Sequence, residues 1–283
     1  MSRPTLALIP TAFKAGKLYS VLPSDGSGDF DVSRNGAATY LGQDGLIKTA
    51  LANEPRFEYN PDVSFKGVLV EPVSTNLIPT SDSGVGGGSG TTDINNAELV
   101  ISPRNILEGY YITPTMVSSR FEFSITNTNT IFTYSWYAKR FSIPLESEQI
   151  GDVGFNVPIN CDITDVKQIE TLNNGWNRFS ATVTKIDNNI TAILRAYFGY
   201  IIGIGNKSVA YFGHQLEVGT VATSYIPTLD SQVTRPTDLI TVVVPLNSTQ
   251  VSYILDDIVV IESVVGGSTF TLPNGHISQL TMN

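Results

Sequence analysis

The chain has 283 residues, of which 41% are hydrophobic and 15% are charged, so it is long enough to bury a sizeable core in one or two domains. Its formal net charge is -9, which disfavours general binding to nucleic acid or to anionic membranes. Its lone cysteine, Cys161, excludes an internal disulfide framework and a cysteine-based zinc site, and is interpreted as a small buried hydrophobe.

The first 75 residues consist of short predicted β pieces separated by glycine and proline, such as DGSGDFDV and NGAATYLGQDG. Their apolar pattern is too short for an independent sandwich. Residues 1–75 are therefore predicted to form an extended arm or docking segment. An apolar run near the N-terminus is interrupted by Pro10 and is not interpreted as a signal peptide, and no segment is long enough to span a membrane.

Three carboxylates in this arm, those of Asp25, Asp29 and Asp31, have the spacing of a calcium loop. The downstream bidentate glutamate that completes an EF-hand is missing. A solvated turn is therefore the favoured interpretation, and calcium binding stays open.

Residues 76–228 contain the densest strand patterns, for example RFEFSIT, IFTYSWYA and RFSATVT. Asparagine and glycine turns separate these runs, which is typical of an antiparallel β-sandwich. The glycine-rich stretch Gly84–Gly90 lacks the Lys-Ser/Thr and the helix of a phosphate-binding loop, and it is interpreted as a linker.

Aromatic residues give this module its best binding signal. In the run from Ile131 to Ala138, alternation places Phe132, Tyr134 and Trp136 on one face, which predicts a core position for them. Trp176 follows the turn Asn174-Gly175 and shares its phase with Arg178. Trp176, Arg178 and Asn174 are the candidate saccharide site, because a rim aromatic can stack on a sugar while arginine and asparagine bind hydroxyls. Structural packing is the favoured alternative for Trp176.

His214 lies three residues before Glu217 in YFGHQLEVG, which raises the possibility of a catalytic pair. In a strand, Tyr211, Gly213, Gln215 and Glu217 would line one face, and Phe212, His214 and Leu216 the other. His214 and Glu217 would then point in opposite directions, so a structural histidine is the favoured interpretation. Neither His214 nor His276 has a nucleophile turn beside it, and no catalytic residue is assigned.

Residues 229–283 form a predicted C-terminal β tail. Its runs Leu239–Val244 and Ile258–Ile261 are nearly continuous and apolar, and such strands need both faces covered. Pairing with identical chains would supply that cover. A homo-oligomer is therefore expected.

Three stretches carry a resemblance to a known group of proteins: TNLIPTS, NNGWNRFSATVT and YFGHQLEVGTVATSYIPTLDSQVTRPTD. They resemble bacteriophage virion proteins with a carbohydrate-binding-module-like jelly roll. The stretches GDFDVSRNGAATYLGQDGLIKTALANEPRFEY and GVLVEPVSTNLI look like the leader that usually precedes that module. The resemblance implies an all-β fold: an antiparallel jelly-roll sandwich with an N-terminal arm and a small C-terminal β segment.

The function this implies is that of a non-enzymatic fibre or spike, assembled in the host cytoplasm and displayed on the virion, which attaches to host-surface carbohydrate. The alternative is a purely architectural role as a capsid decoration or tail adaptor without a ligand. Other virion proteins are the expected partners, with no nucleic acid, no membrane insertion, no metal and no cofactor. By analogy with phage fibres, a trimer is the favoured homo-oligomer.

Overall fold

The structure of the protein is a computed structural model, which describes residues 4–8, 13–14, 16–81, 98–112, 120–140, 153–154, 158–198, 200–201, 205–206 and 209–283. The chain forms two compact units, unit 1 from Met1–Val73 together with Arg235–Asn283, and unit 2 from Ser74–Thr234. Strands in antiparallel sheets dominate, and the described residues include no helix. This confirms the all-β antiparallel prediction. A helix able to cross a membrane is accordingly absent from the described ranges.

The strands follow one another along the chain in three groups. The first group is β1 (Leu6–Leu8), β2 (Phe13–Lys14), β3 (Lys17–Leu18), β4 (Phe30–Ser33), β5 (Ala38–Leu41), β6 (Ile47–Ala50), β7 (Arg56–Tyr59) and β8 (Phe65–Val70). The second is β9 (Ser74–Asn76), β10 (Glu98–Ile101), β11 (Leu107–Ile112), β12 (Arg120–Ile125), β13 (Ile131–Arg140), β14 (Val153–Gly154), β15 (Cys161–Thr171), β16 (Asn177–Lys185), β17 (Ala192–Phe198), β18 (Tyr200–Ile201), β19 (Gly205–Asn206), β20 (Val209–Val218) and β21 (Val233–Arg235). The third is β22 (Leu239–Val243), β23 (Gln250–Leu255), β24 (Ile258–Ser263), β25 (Thr269–Thr271) and β26 (Gly275–Met282).

Unit 1 is built from both ends of the chain. One sheet has the order β24-β23-β26-β8-β7, with β1 also paired to β26, and another has the order β2-β3-β4-β22-β25. Both sheets thus combine strands from before unit 2 with strands from after it. One buried cluster unites their apolar side chains, including Leu6, Phe30, Val68, Ile240, Val251 and Leu280. The sequence predicts an arm and a separate tail, but the structure combines the two segments around this single core.

Strand β22 of the tail does not need other chains to cover its buried face. Its Ile240 and Val242 are buried in the core of unit 1, whereas Leu239 and Val243 are exposed. The strand pairs with β4 on one side and β25 on the other. The nearly continuous apolar run therefore has one face buried by its own chain, because N-terminal strands about 200 residues away supply the other half of the sheet and core.

Unit 2 contains a six-stranded sheet, ordered β10-β11-β20-β13-β16-β15, and a three-stranded sheet, β12-β17-β14. Residues of both sheets form one core, whose members include Phe121, Phe132, Tyr134, Trp136, Cys161, Phe179, Leu194 and Leu216. The predicted core positions of Phe132, Tyr134 and Trp136 are confirmed, as is the buried position of Cys161.

The other face of β13 is buried as well. Tyr137 lies on that face, and the ring of Tyr225 meets it edge-on at 6.2 Å between centroids. Tyr225 also shares a hydrogen bond of 2.9 Å with the Ser81 hydroxyl. The segment around Tyr225 therefore packs over the sheet, and both Tyr225 and Ile226 are buried.

A β-bulge in β20 changes which side chains face the core. Tyr137 pairs with Phe212, but Ser135 pairs with Gln215, so β20 has one residue more than β13 between these pairs. Gly213 has a φ of +65° there, a conformation that favours glycine. The predicted alternation therefore holds from His214 onward but is wrong before the bulge, where Tyr211 belongs to the core cluster and Phe212 packs on the opposite face against Tyr137.

Candidate functional site

The candidate saccharide residue Trp176 lies in the interior of unit 2, with 1% of its surface exposed. Its indole nitrogen donates to the Ile101 carbonyl oxygen at 3.2 Å. Asn174 is half-buried in the preceding turn, where its side-chain oxygen accepts from the Trp176 amide at 3.3 Å and its backbone oxygen from Lys139 at 2.7 Å. The ring therefore serves packing, and it presents no face on which a sugar could stack.

Arg178 is also buried. Its guanidinium donates to the Ser135 hydroxyl at 3.0 Å and lies over the Tyr137 ring at 5.3 Å from the centroid. Because these contacts are internal, Arg178 and Trp176 do not form a surface site. The saccharide site predicted at these residues is wrong, since a strand that starts at a turn does not have to lie at a rim.

His214 and Glu217 are both fully buried and face opposite sides of the sheet, as predicted. The Nδ1 atom of His214 lies 2.6 Å from the Tyr134 hydroxyl, and its ring stacks on Phe121 at 4.8 Å. Burial lowers the pKa of His214 to about 3, so the ring is neutral near pH 7. Glu217 accepts from the Thr223 amide at 3.0 Å on the other face. The two side chains do not form a catalytic pair.

The polar residues around His214 hold a loop in place. Gln215 accepts from the Ile226 amide at 2.6 Å and donates to the Ser224 carbonyl at 3.2 Å. Asn76 accepts from the Leu216 amide at 3.1 Å and donates to the Ile226 carbonyl at 3.0 Å. These buried amides satisfy backbone groups that a strand ladder leaves over. The two resemblance stretches in which Asn76 and Gln215 lie thus have a structural role here.

The three carboxylates of the possible calcium loop do not converge. Each has a different partner: Ser27 for Asp25, at 2.6 and 2.9 Å, Ser20 for Asp29, at 2.8 Å, and Lys17 for Asp31, at 2.6 Å. Among the described residues, no group of three or more histidine, cysteine or acidic side chains is arranged to hold a metal ion. The predicted linker Gly84–Gly90 lies outside the described residues.

Unit 1 carries an open groove of about 610 Å³, a volume within the range of about 300–1,000 Å³ that is usual for small-molecule sites. The hairpin β5–β6 forms one wall, and β7 forms the other. The residues that line the groove are Tyr40, Gly42, Gln43, Asp44, Lys48, Phe57 and Tyr59.

The β7 wall is aromatic. Phe57 and Tyr59 alternate along the strand, so both rings lie on the same face. Phe65 supports them from β8, with ring centroids 6.4 Å from Phe57 and 5.6 Å from Tyr59. Phe13 extends the cluster at 5.3 Å from Phe57. The rings fix one another, which leaves half-buried aromatic surface facing the groove.

The hairpin wall is polar. Tyr40 and Lys48 are directly paired across the hairpin, and the Lys48 ammonium lies 2.5 Å from the Asp44 carboxylate. A side chain at Gly42 would come within 2.8 Å of the Lys48 stem, so glycine leaves the room that Lys48 occupies. Burial alone would raise the pKa of Asp44, but hydrogen bonds from Lys48 and the Leu46 amide outweigh it and lower the pKa. Burial raises the pKa of the Tyr40 phenol.

A buried ion network lies beneath the strands of unit 1. Asp238 accepts from Arg34 at 2.8 Å and also binds Arg56, which donates to Glu71 at 2.7 Å. Arg235 lies 3.5 Å from Glu71. The pKa of Arg56 is raised, because the charges of Glu71 and Asp238 outweigh the opposing effect of burial. The network ties residues before unit 2 to residues after it.

The sequence interpretation missed both the groove and the network, although a signal was present. In the stretch PRFEY, the charged Arg56 and Glu58 are buried on one face of the strand, while Phe57 and Tyr59 are half-buried on the other face, where Phe57 packs against the core of unit 1. Charged side chains are usually exposed, so a strand that buries them at alternate positions is covered on both faces. Charges with aromatics at alternate positions are the cue: Arg56 belongs to the ion network and Glu58 accepts from the Leu41 amide, while Phe57 and Tyr59 line the groove.

Comparison with known proteins adds no relative. No protein-family model matches the chain, and no curated protein is significantly similar to it.

Proposed function

We propose that this protein is a structural component of a bacteriophage virion, a fibre or spike without enzymatic activity, and that it attaches to saccharide on the host surface through the groove of unit 1. The virion assignment is supported by the sequence stretches that resemble phage virion proteins. The saccharide assignment is supported by the chemistry of the groove.

The groove combines the two kinds of surface that a sugar presents. A pyranose ring has apolar C–H faces and a rim of hydroxyl groups. Tyr59 and Phe57 offer aromatic faces for the first, while Asp44, Lys48 and Gln43 offer an acceptor, a donor and an amide for the second. Rigid aromatics with a few convergent polar groups are the usual composition of ligand sites. This juxtaposition is the observation that carries the proposal.

Unit 2 serves in this proposal as the carbohydrate-binding-module-like jelly roll that the resemblance implies. Its two sheets around one core fit that architecture. Because its candidate residues Trp176 and Arg178 are buried, the ligand is assigned to unit 1.

Binding is tested by titrating the purified protein with maltotetraose, cellotetraose, chitotetraose and a tetrasaccharide of alternating uronic acid and hexosamine, using calorimetry. At least one should bind with a saturable isotherm. Substituting Tyr59→Ala removes a stacking face, so affinity should fall about tenfold, or about 1.4 kcal/mol. The melting temperature should change little, since the ring is only half-buried.

The matched control is Tyr19→Ala, which removes an exposed tyrosine that does not line the groove. It should leave affinity unchanged. Equal losses of affinity in the two variants, or an unchanged affinity in Tyr59→Ala, would show that the saccharide does not bind in the groove.

The second candidate is the purely architectural role. It is favoured by the exposed apolar side chains of β24, which are Ile258, Val259 and Ile261, because contact with another virion subunit would cover them. If none of the tetrasaccharides or intact host cells binds the protein while it co-purifies with capsid or tail proteins, this second function is the correct one.

A further inference from the structure

Glu58 connects the two walls of the groove through a buried hydrogen bond. It lies between Phe57 and Tyr59 on β7 and points inward, where it is 7% exposed. Its Oε1 atom accepts a hydrogen bond of 3.1 Å from the Leu41 amide. Leu41 follows Tyr40 and precedes Gly42, so this bond fixes the backbone of the hairpin wall to the aromatic wall.

The second carboxylate oxygen of Glu58 is held by His276 of β26. The Nε2 atom of His276 lies 2.7 Å from Glu58 Oε2, and its Nδ1 atom lies 2.9 Å from Asp256 Oδ1. The His276 amide donates to the same Asp256 oxygen at 3.0 Å, and Lys66 of β8 lies 3.7 Å from Glu58. The charged groups that face His276 are thus Glu58 from β7, Lys66 from β8 and Asp256 from the turn after β23.

These neighbours favour the imidazolium. Burial alone would lower the pKa of His276, and Lys66 also opposes protonation, but the hydrogen bonds and charge of Glu58 and Asp256 outweigh both and raise the pKa. The same contact lowers the pKa of Glu58 although burial opposes this. In its protonated form, which these neighbours favour, His276 donates to two carboxylates at once.

The backbone is shaped to permit this arrangement. Gly67 has a φ of +153°, and a Cβ there would lie 3.0 Å from the Cβ of His276. Gly275 has a φ of +127°, and a Cβ there would lie 2.6 Å from an oxygen of Asp256. Both positions require glycine for conformation and for space. The chain thus brings β8 and the Asp256 turn closer to His276 than side chains would allow.

We propose that Glu58 and His276 form a positioning clasp for the groove, in which the imidazolium fixes Glu58, Glu58 fixes the Leu41 backbone, and the walls are thereby held at the separation that a saccharide needs. The clasp rests on the proposed function for its ligand. A neutral imidazole has one N–H and can donate to only one of the two carboxylates, while its other nitrogen faces a carboxylate oxygen. Saccharide affinity should therefore fall as the pH rises through the pKa of His276.

The test measures the affinity of the same four tetrasaccharides between about pH 5.5 and about pH 9, a range that spans histidine titration. The wild-type affinity should be constant at low pH and fall about tenfold, or about 1.4 kcal/mol, across the titration of His276 followed by NMR. His276→Gln should bind more weakly at low pH with no pH dependence, because glutamine donates one hydrogen bond and does not titrate. Glu58→Gln should also abolish the pH dependence, because a neutral amide is not held by the charge of the imidazolium. Its amide oxygen can still accept from Leu41, so the hairpin contact itself is kept.

Asp62→Asn is the matched control, because Asp62 is an exposed carboxylate in the turn after β7 that accepts hydrogen bonds from the neighbouring Ser64. It should keep the wild-type profile. A wild-type profile in Glu58→Gln or in His276→Gln overturns the clasp.

A second measurement tests the clasp independently of saccharide binding. The amide resonance of Leu41 should shift with the same midpoint as the His276 ring in the protein without saccharide. If no tetrasaccharide binds at any pH but Leu41 follows His276, the proposed function fails and the clasp stands. If Leu41 does not respond to His276, the clasp fails whether or not a sugar binds.

Discussion

The pKa values of the two histidines of the chain are shifted in opposite directions because their surroundings differ. His214 stacks on Phe121 and meets the Tyr134 hydroxyl in the core of unit 2, and burial keeps it neutral. His276 lies between Glu58 and Asp256, which favour its protonated form. The same residue type is therefore a packing element in unit 2 and a charged donor in unit 1.

His214 gives unit 2 a stability that acid removes. Its pKa in the folded state is about 3, whereas an unfolded histidine has a pKa of about 6.5. The unfolded state therefore binds a proton first, and the free energy of unfolding should fall by up to about 1.4 kcal/mol per pH unit as the pH drops below about 6.5. Both tryptophans lie in unit 2, so urea unfolding followed by tryptophan fluorescence measures this.

The variant His214→Gln keeps a polar partner for Tyr134 but does not titrate. Its unfolding free energy should show a slope with pH that is smaller than the wild-type slope by the amount of one proton. His276→Gln serves as the control, because it lies in the other unit and should keep the wild-type fluorescence slope. Identical slopes in all three proteins would contradict a neutral buried His214.

At the scale of the element, the strands of unit 2 were predictable where local alternation decides their faces. The core positions of Phe132, Tyr134 and Trp136 follow from a period of two. The inward turn of Tyr211 does not, because the bulge at Gly213 shifts the register by one residue. The positive φ of Gly213 and its contact with Tyr137 and Tyr225, where a Cβ would lie about 3 Å from either ring, together explain why this position is glycine.

The strands of unit 1 were less predictable because their partners are distant in the sequence. Arg56 meets Asp238 across 182 residues, and no local pattern reports such a pair. The stretch PRFEY, which holds the aromatic wall of the groove, was therefore assigned only to an extended arm. The candidate site failed for the same reason, since what covers Trp176 is the Ile101 strand rather than a neighbour in sequence.

Strand β24 carries a prediction about assembly. It is the edge of its sheet, and Ile258 and Ile261 are exposed there. Unpaired apolar edges associate readily, so we expect a homo-oligomer, with a trimer favoured. The double substitution Ile258→Lys and Ile261→Lys should convert it to monomer in light scattering. Val265→Lys, an exposed position outside the strand, should not, and a monomeric wild type would refute the expectation.

At the scale of the whole molecule, the two units have separate cores and differ in how they depend on the chain ends. A chain that stops at Thr234 keeps all of unit 2 but loses β22 to β26, together with Arg235 and Asp238. Leaving Arg34 and Arg56 without that carboxylate is costly, at about 3–5 kcal/mol for a buried pair. Unit 1 should therefore unfold, whereas the tryptophan-detected transition of unit 2 should remain.

Hydrogen exchange measures this directly. Amides of β4 and β8 should exchange at unfolded rates in the truncated chain, and adding a peptide of residues 235–283 should restore their protection. Slow exchange in β4 and β8 without that peptide would mean that the N-terminal segment folds alone.

The division of unit 1 between two segments also orders events on the ribosome. About 160 residues of unit 2 separate its halves, and at about 5–20 residues per second their synthesis takes on the order of ten seconds or more. During that time Arg34, Arg56 and Glu71 remain hydrated on a nascent chain that has no core to enter. The inserted unit is complete first, and the groove comes into being only when translation has delivered the last strands.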